Sequence, residues 1–294
     1  MLEFFLRSAV WIFINLIRIA YLFRSKHNHL AHIIDAADIR FEVPEATQYV
    51  RVDVGLSDDA SHSVECLFDD NRDRLIIGIE PHPESVRNLW TGVSKFYSVS
   101  LARELIRKGN LVKKIPGLRS RFLIIQGAAG SCALPSKRIF FSAFPDRGNS
   151  SLYNIQTPAS TGNINDSQFE VTEFPLSIVL ERLKSQGVSF VESLKIDTEG
   201  HELEVLKGAG ELLDMVLYCR VECFKGVYPN TQFAIRSNQP PHIKLADGGF
   251  HDSASEIIAF LDKYNFRLIS SKPGDYVFLN QSLRSLLNEH EVFP

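Results

Sequence analysis

The 294-residue sequence has no CxxC pair, no GxGxxG turn and no excess of basic residues. Its four cysteines, Cys66, Cys132, Cys219 and Cys223, show no zinc-like spacing, so they are read as reduced, packed thiols. Thirty-two basic residues against 35 acidic ones leave a net charge of -3. That balance offers no basic surface for nucleic acid, and no nucleic-acid partner is expected. The missing glycine turn removes the backbone amides that a dinucleotide's pyrophosphate needs. In its place stands DVGLSDDASHS, where Asp58 and Asp59 would repel a phosphate. Internal repeats and low-complexity tracts are absent too, which excludes solenoids and biased linkers.

What is present is ordinary for a globular chain: 45% hydrophobic and 23% charged residues. The length suits one domain with an appended segment. That segment is the N-terminus, where Phe4 to Phe23 is mostly apolar and interrupted by Arg7, Asn15 and Arg18. Together with Glu3, these polar residues recur at helical spacing and share one face. The pattern predicts a helix over residues 1–28 that lies in or anchors to a membrane interface, and arginines near both ends would snorkel if it spans. No small-x-small site follows for signal-peptide cleavage. The expected location is membrane-associated, with the cytoplasm as second choice, and residues 29–294 form the expected catalytic domain.

Beyond residue 48, apolar runs alternate with helical patterns. YVRVDVG, LIIGIEP, RFLIIQGAAG, ESLKIDTEG and MVLYCRVEC read as strands buried on both faces. HPESVRNLW, the segment Leu176 to Gly187, HELEVLKGAGELL and the segment Ser253 to Asn265 read as helices. FRLISS and DYVFLN, joined by Lys272-Pro273-Gly274, read as an antiparallel hairpin. The fold class is therefore α/β: a doubly wound, mostly parallel seven-strand sheet with a C-terminal antiparallel hairpin. A long polar loop at 225–252 carries Tyr228, Arg236 and His242, which are candidate acceptor contacts.

In such a sheet, ligands bind beyond the carboxyl ends of the strands. Those ends carry Asp53 and Gly55, then Glu80, then Gln126 with Gly127 and Ala128, then Asp197, Glu199 and His201, then Glu222. Glu80 follows Gly55 at the offset of an acid that accepts from two ribose hydroxyls. S-adenosylmethionine has no phosphate, and its sulfonium and amino groups are cationic. Acids around the first loop favour it over a dinucleotide.

LKIDTEGHELEVLKGA, preceded by PLSIVLERL, resembles the hallmark segment of the FkbM-type S-adenosylmethionine-dependent methyltransferases. VRVDVG, IIGIEPHPESVRNL and GNSSL fit the same family in the same order, over roughly residues 49 to 280. The resemblance implies a Rossmann-like methyltransferase sheet, S-adenosylmethionine as cofactor, and O-methylation of a small-molecule, sugar or lipid-linked acceptor. It also implies that Asp53 and Gly55 belong to the cofactor loop, that Glu80 holds the ribose, and that Asp197 lies beside the methionine part and the acceptor. The sequence departs from the family where Asp59 and Ala60 stand in place of a second glycine, with Ser57 as the expected helix cap.

Methyl transfer asks the protein to align the acceptor and exclude water. Asp197 and His201 are the candidate catalytic residues, with His201 as the base for the hydroxyl proton. Asp53, Gly55, Ser57, Glu80, Gln126 and Asp197 are the candidate cofactor contacts. No metal is expected, because Asp197, Glu199 and His201 on one turn rarely converge on an ion. Glu199 and Glu202 are read as charges favourable to a helix N-terminus. The alternative function is a non-catalytic binding or scaffold protein of the same fold, motivated by the altered glycine loop.

Overall fold

Near-continuous apolar runs build the centre of the main sheet. In the computed structural model, residues 31–58, 60, 62–63, 74–91, 121–144, 150–152, 164–223, 253–272 and 274–287 are described. The N-terminal stretch 1–28 and the loop holding Tyr228, Arg236 and His242 lie outside them. No helix among the described residues is long and apolar enough to cross a membrane.

The main sheet contains β1 (His32–Asp35), β2 (Tyr49–Val54), β3 (Arg74–Glu80) and β4 (Phe122–Gln126). A second sheet follows, made of β5 (Ala128–Gly130), β6 (Ser136–Phe144) and β7 (Ile164–Pro175). The chain then returns to the main sheet with β8 (Val191–Ile196), β9 (Val216–Cys223), β10 (Phe266–Lys272) and β11 (Gly274–Asn280). The helices are α1 (Pro83–Thr91), α2 (Ser177–Ser185), α3 (Glu202–Ala209) and α4 (Ser253–Asp262).

The main sheet runs β1-β4-β3-β2-β8-β9-β11-β10. Pairings from β1 through β9 are parallel, and β11 is antiparallel to both β9 and β10. The expected C-terminal hairpin is present. The expected seven strands are eight, because the four-residue β1 adds an edge strand beside β4. So short a run carries too little periodicity to be read as a strand.

The second sheet, ordered β5-β7-β6, is a larger departure. RFLIIQGAAG is not one strand: it breaks at Gly127, and β5 leaves for the other sheet. Phe140 and Val171 turn inward in β6 and β7 while Ile139 and Glu170 stay exposed. That alternation is the period-two signal of a sheet with one solvated face.

Strand order reverses between β2 and β8, so the switch point opens there. One face of the sheet is sealed by Val52, Val54, Ile79, Leu194, Ile196 and Val221 against Val179, Leu183, Val205, Leu206 and Ile257 of the helices. Cys219 belongs to this core, and burial pushes its thiol above the ordinary range, as expected of a packed, reduced cysteine.

Near the amino ends of the strands, Glu192 accepts from Arg51 Nε and Arg74 Nε through Oε2, and from Arg74 Nη2 through Oε1, each at 2.8 Å. Arg74 is only 2% exposed. Two cations and one carboxylate thus tie β2, β3 and β8 together at the end opposite the switch-point opening.

Candidate active site

The carboxyl ends of β2, β3 and β8 open into a cleft of about 250 Å³. Val54, Gly55, Ser57, Ile79 and Glu80 line it from the first two strands, and Asp197, Thr198, Glu199 and His201 from the loop after β8. The second sheet and the segment beside it add Ala128, Ala129, Phe140, Ser150 and Leu152.

Gly55 is fixed by a close approach. Its φ is +86°, and a Cβ there would fall 1.7 Å from the carbonyl oxygen of Asp197. The amide of Gly55 donates to Ile79 O, and that of Asp197 donates to Val54 O. These bonds carry the parallel ladder into the cleft and set Asp197 beside Gly55.

Glu80 is buried, and each of its oxygens holds one backbone amide. Oε2 accepts from Ser57 N and Oε1 from His82 N, both at 2.8 Å. Burial raises its carboxyl from 4.5 to about 7, against the lowering effect of those two amides. The folded protein therefore holds this proton more tightly than the unfolded chain. The resulting stability is fully present below pH 4.5 and is lost as pH rises through 7.

The helix that Ser57 is expected to cap lies largely outside the described residues. Ser57 has φ +56°, in the left-handed region, and its backbone amide rather than its hydroxyl reaches Glu80. Ala60 is also left-handed, at φ +43°. The turn that glycine would make easily is made by two residues with side chains, at a cost of about 1–2 kcal/mol each. Ser57→Gly keeps the amide bond and is expected to stabilise the protein by up to about 1 kcal/mol, partly offset by unfolded-state entropy. A urea denaturation midpoint that fails to rise would refute this account of the turn.

Lys195, which the sequence reading passed over, is central. Its Nζ donates to Gly55 O at 2.8 Å and lies 3.3 Å from both Asp53 Oδ1 and Asp197 Oδ2. Burial works to deprotonate it, but the carboxylates of Asp53 and Asp197 win, and its pKa stands above the ordinary value. Asp53 does not line the cleft. Ser63 Oγ donates to its Oδ2 at 2.6 Å, and it serves as an anchor behind the floor. The one signal for Lys195 in the sequence is a lysine in an apolar strand two residues before an acid.

Asp197, Glu199 and Glu222 bring carboxylate oxygens within 4.8 Å of one another. Burial, then the charges of Asp197 and Glu199, push Glu222 up to about 11, so it holds its proton. With Lys195 beside Asp197, that proton offsets part of the crowded negative charge. Glu199 is held at φ +55°, with its carbonyl accepting from Ser151 Oγ at 2.8 Å. Glu202 has a bracing role instead. Its Oε1 accepts from Thr198 N, Thr198 Oγ1 and Gly200 N, locking the turn into α3.

His201 lines the cleft, is 4% exposed, and makes no side-chain cap to α3. Its Nε2 lies 3.3 Å from Oε1 of Glu173 on β7. Gln126 is exposed at the end of β4 and does not line the cleft; Ala128 and Ala129 occupy the place expected for it. Phe140 and Leu152 form an apolar wall with Ala128. Phe140 was missed because the sheet that carries it was missed, whereas Leu152 ends the GNSSL segment.

The profile of the methyltransferase FkbM domain matches residues 53–268. The chain belongs to the FkbM methyltransferase family. No curated protein matches it. Among solved structures it is similar to methyltransferase FkbM from Methylobacillus flagellatus KT, at 14% identity and a TM-score of 0.36. It is also similar to the small RNA methyltransferase HEN1, at 12% identity and a TM-score of 0.34. The alignments cover 83% and 81% of this chain, but only 45% and 24% of those two chains.

Proposed function

We propose that this FkbM-family protein is an S-adenosylmethionine-dependent methyltransferase that acts on a hydroxyl of a small-molecule or glycan acceptor. The observation that carries the proposal is Glu80. A buried carboxylate at the cleft, with one backbone amide on each oxygen, keeps acceptor capacity for two more donors. A ribose diol supplies two such donors. The rest of the cleft fits the same molecule. Ala128, Phe140 and Leu152 offer an apolar wall for a base, and Asp197 and Glu199 offer negative charge to a sulfonium and an ammonium. Asp58, on the adjoining turn, accepts from Ser85 Oγ at 2.6 Å and disfavours a phosphate there.

When bound, S-adenosylmethionine supplies a methyl group whose bond to sulfur breaks with both electrons going to sulfur. The protein's share is placement and proton handling. Glu80 fixes the ribose, and Asp197, kept in place by Lys195, fixes the charge at the reacting end. His201 receives the acceptor's hydroxyl proton as the oxygen bonds to carbon, and returns it to solvent afterwards. The apolar stretch Phe4 to Phe23 supports a further element of this reading, in which the enzyme meets its acceptor at a membrane surface.

The test uses S-adenosylhomocysteine in titration calorimetry. Ribose hydroxyls donate to the ionised carboxylate, so binding expels the Glu80 proton below pH 7. Affinity is expected to rise by up to about tenfold per pH unit from pH 5 to 7, then level off. Glu80→Gln, which cannot titrate, should flatten that rise. Absence of binding at pH 8 would sink the reading.

A further inference from the structure

Glu173 lies on β7, in the second sheet, and is 2% exposed. Its Oε1 stands 3.3 Å from His201 Nε2, and its Oε2 accepts from Arg138 Nη1 of β6 at 3.1 Å. Gly130 of β5 makes the approach possible. A Cβ there would fall 1.9 Å from Glu173 Oε1 and 2.9 Å from His201 Nε2. Three strands of the second sheet thus converge on one imidazole that lines the cleft of the first.

We propose that Glu173 is a positioning residue for His201, holding the ring's proton on Nε2 and balancing the imidazolium that forms when the ring accepts a second proton. This rests on the methyltransferase reading, in which His201 is the base. An ionised carboxylate only accepts hydrogen bonds, so the neutral ring must present Nε2–H to it. The lone pair then resides on Nδ1, the nitrogen that takes the hydroxyl proton. Arg138 keeps Glu173 ionised and oriented. The hydrogen bond from His201, aided by Arg138, holds that carboxyl below the ordinary range despite its burial. Among the described residues Glu204, on α3 itself, also feels His201, and it is paired with Lys207. β5 contributes only the space at Gly130.

Histidine-labelled full-length protein, followed by long-range proton–nitrogen NMR across pH, tests the proposal without an acceptor. His201→Asn identifies the resonance. Wild-type His201 is expected as the Nε2–H tautomer. In Glu173→Gln the Nδ1–H tautomer should gain population, because a carboxamide can donate to Nε2 as well as accept from it. A merely structural contact would leave the tautomer balance unchanged. An Nδ1–H tautomer in the wild type overturns the proposal even if the variant fails to fold, as does an unchanged balance in a folded Glu173→Gln. S-adenosylhomocysteine calorimetry on the wild type separates the two ideas. No binding defeats the methyltransferase reading, whereas binding with the wrong tautomer defeats only the role of Glu173.

Discussion

Glu192→Ala is expected to destabilise the folded protein by about 3–5 kcal/mol. Truncation takes from Arg74, 2% exposed, and Arg51, 15% exposed, the buried carboxylate to which both donate. Breaking a buried pair from one side costs more than the pair contributes, because a charge stays behind in a dry site. A typical domain has only about 5–15 kcal/mol in total, so the loss is a large share of it. The carboxyl of Glu192 also marks the acid limit. Burial alone would raise its pKa, but hydrogen bonds and charge from Arg51 and Arg74 outweigh that and hold it below 4.5. Its stabilisation is present above pH 4.5 and is lost as pH falls through the folded value. Thermal melts across pH 3 to 7 should show a steep acid limb in the wild type and a shallower one in Glu192→Gln. A melting temperature for Glu192→Ala within a degree or two of wild type would refute this assignment.

Glu80→Ala is expected to weaken S-adenosylhomocysteine binding by about a hundredfold or more at pH 8. Two hydrogen bonds to a charged acceptor are worth about 1.5–3 kcal/mol each, and 1.4 kcal/mol is a factor of ten. The carboxylate also organises the cleft: without it the amides of Ser57 and His82 lose their partner, and the turn with φ +56° loses a brace. Calorimetry gives the affinity, and a melt of the ligand-free variant separates lost binding from lost folding. Affinity within threefold of wild type would remove Glu80 from the proposed ribose site.

These two carboxylates show what the sequence disclosed and what it hid. Glu80 was legible because it ends a buried strand, and in a parallel sheet strand ends are where ligands meet the chain. Gly55 and Asp197 were legible on the same grounds, and the structure puts them side by side. Glu192 was not, since its partners are 141 and 118 residues away and no local pattern links them. Lys195 hid inside an apolar run, where its meaning depends on Asp53 across the strand pair. Glu173 and Phe140 were hidden by the insertion between β4 and α2, whose alternation was weaker evidence than the long apolar runs around it. Gln126 misled in the other direction. It stands at a strand end, but the chain turns at Gly127, and the next two residues face the cleft instead.

The crowded carboxylates beside Lys195 bear on turnover as well as on binding. On the proposed reading, the reaction removes one positive charge from the ligand, turning a sulfonium into a neutral thioether. Asp197 and Glu199 lose a partner at the moment of transfer, beside Glu222, whose carboxyl their charges and burial push up in the ligand-free protein. The spent molecule is thus held less firmly than the fresh one. On that reading, the same negative charge that draws the methyl donor in favours the donor over the product at this site.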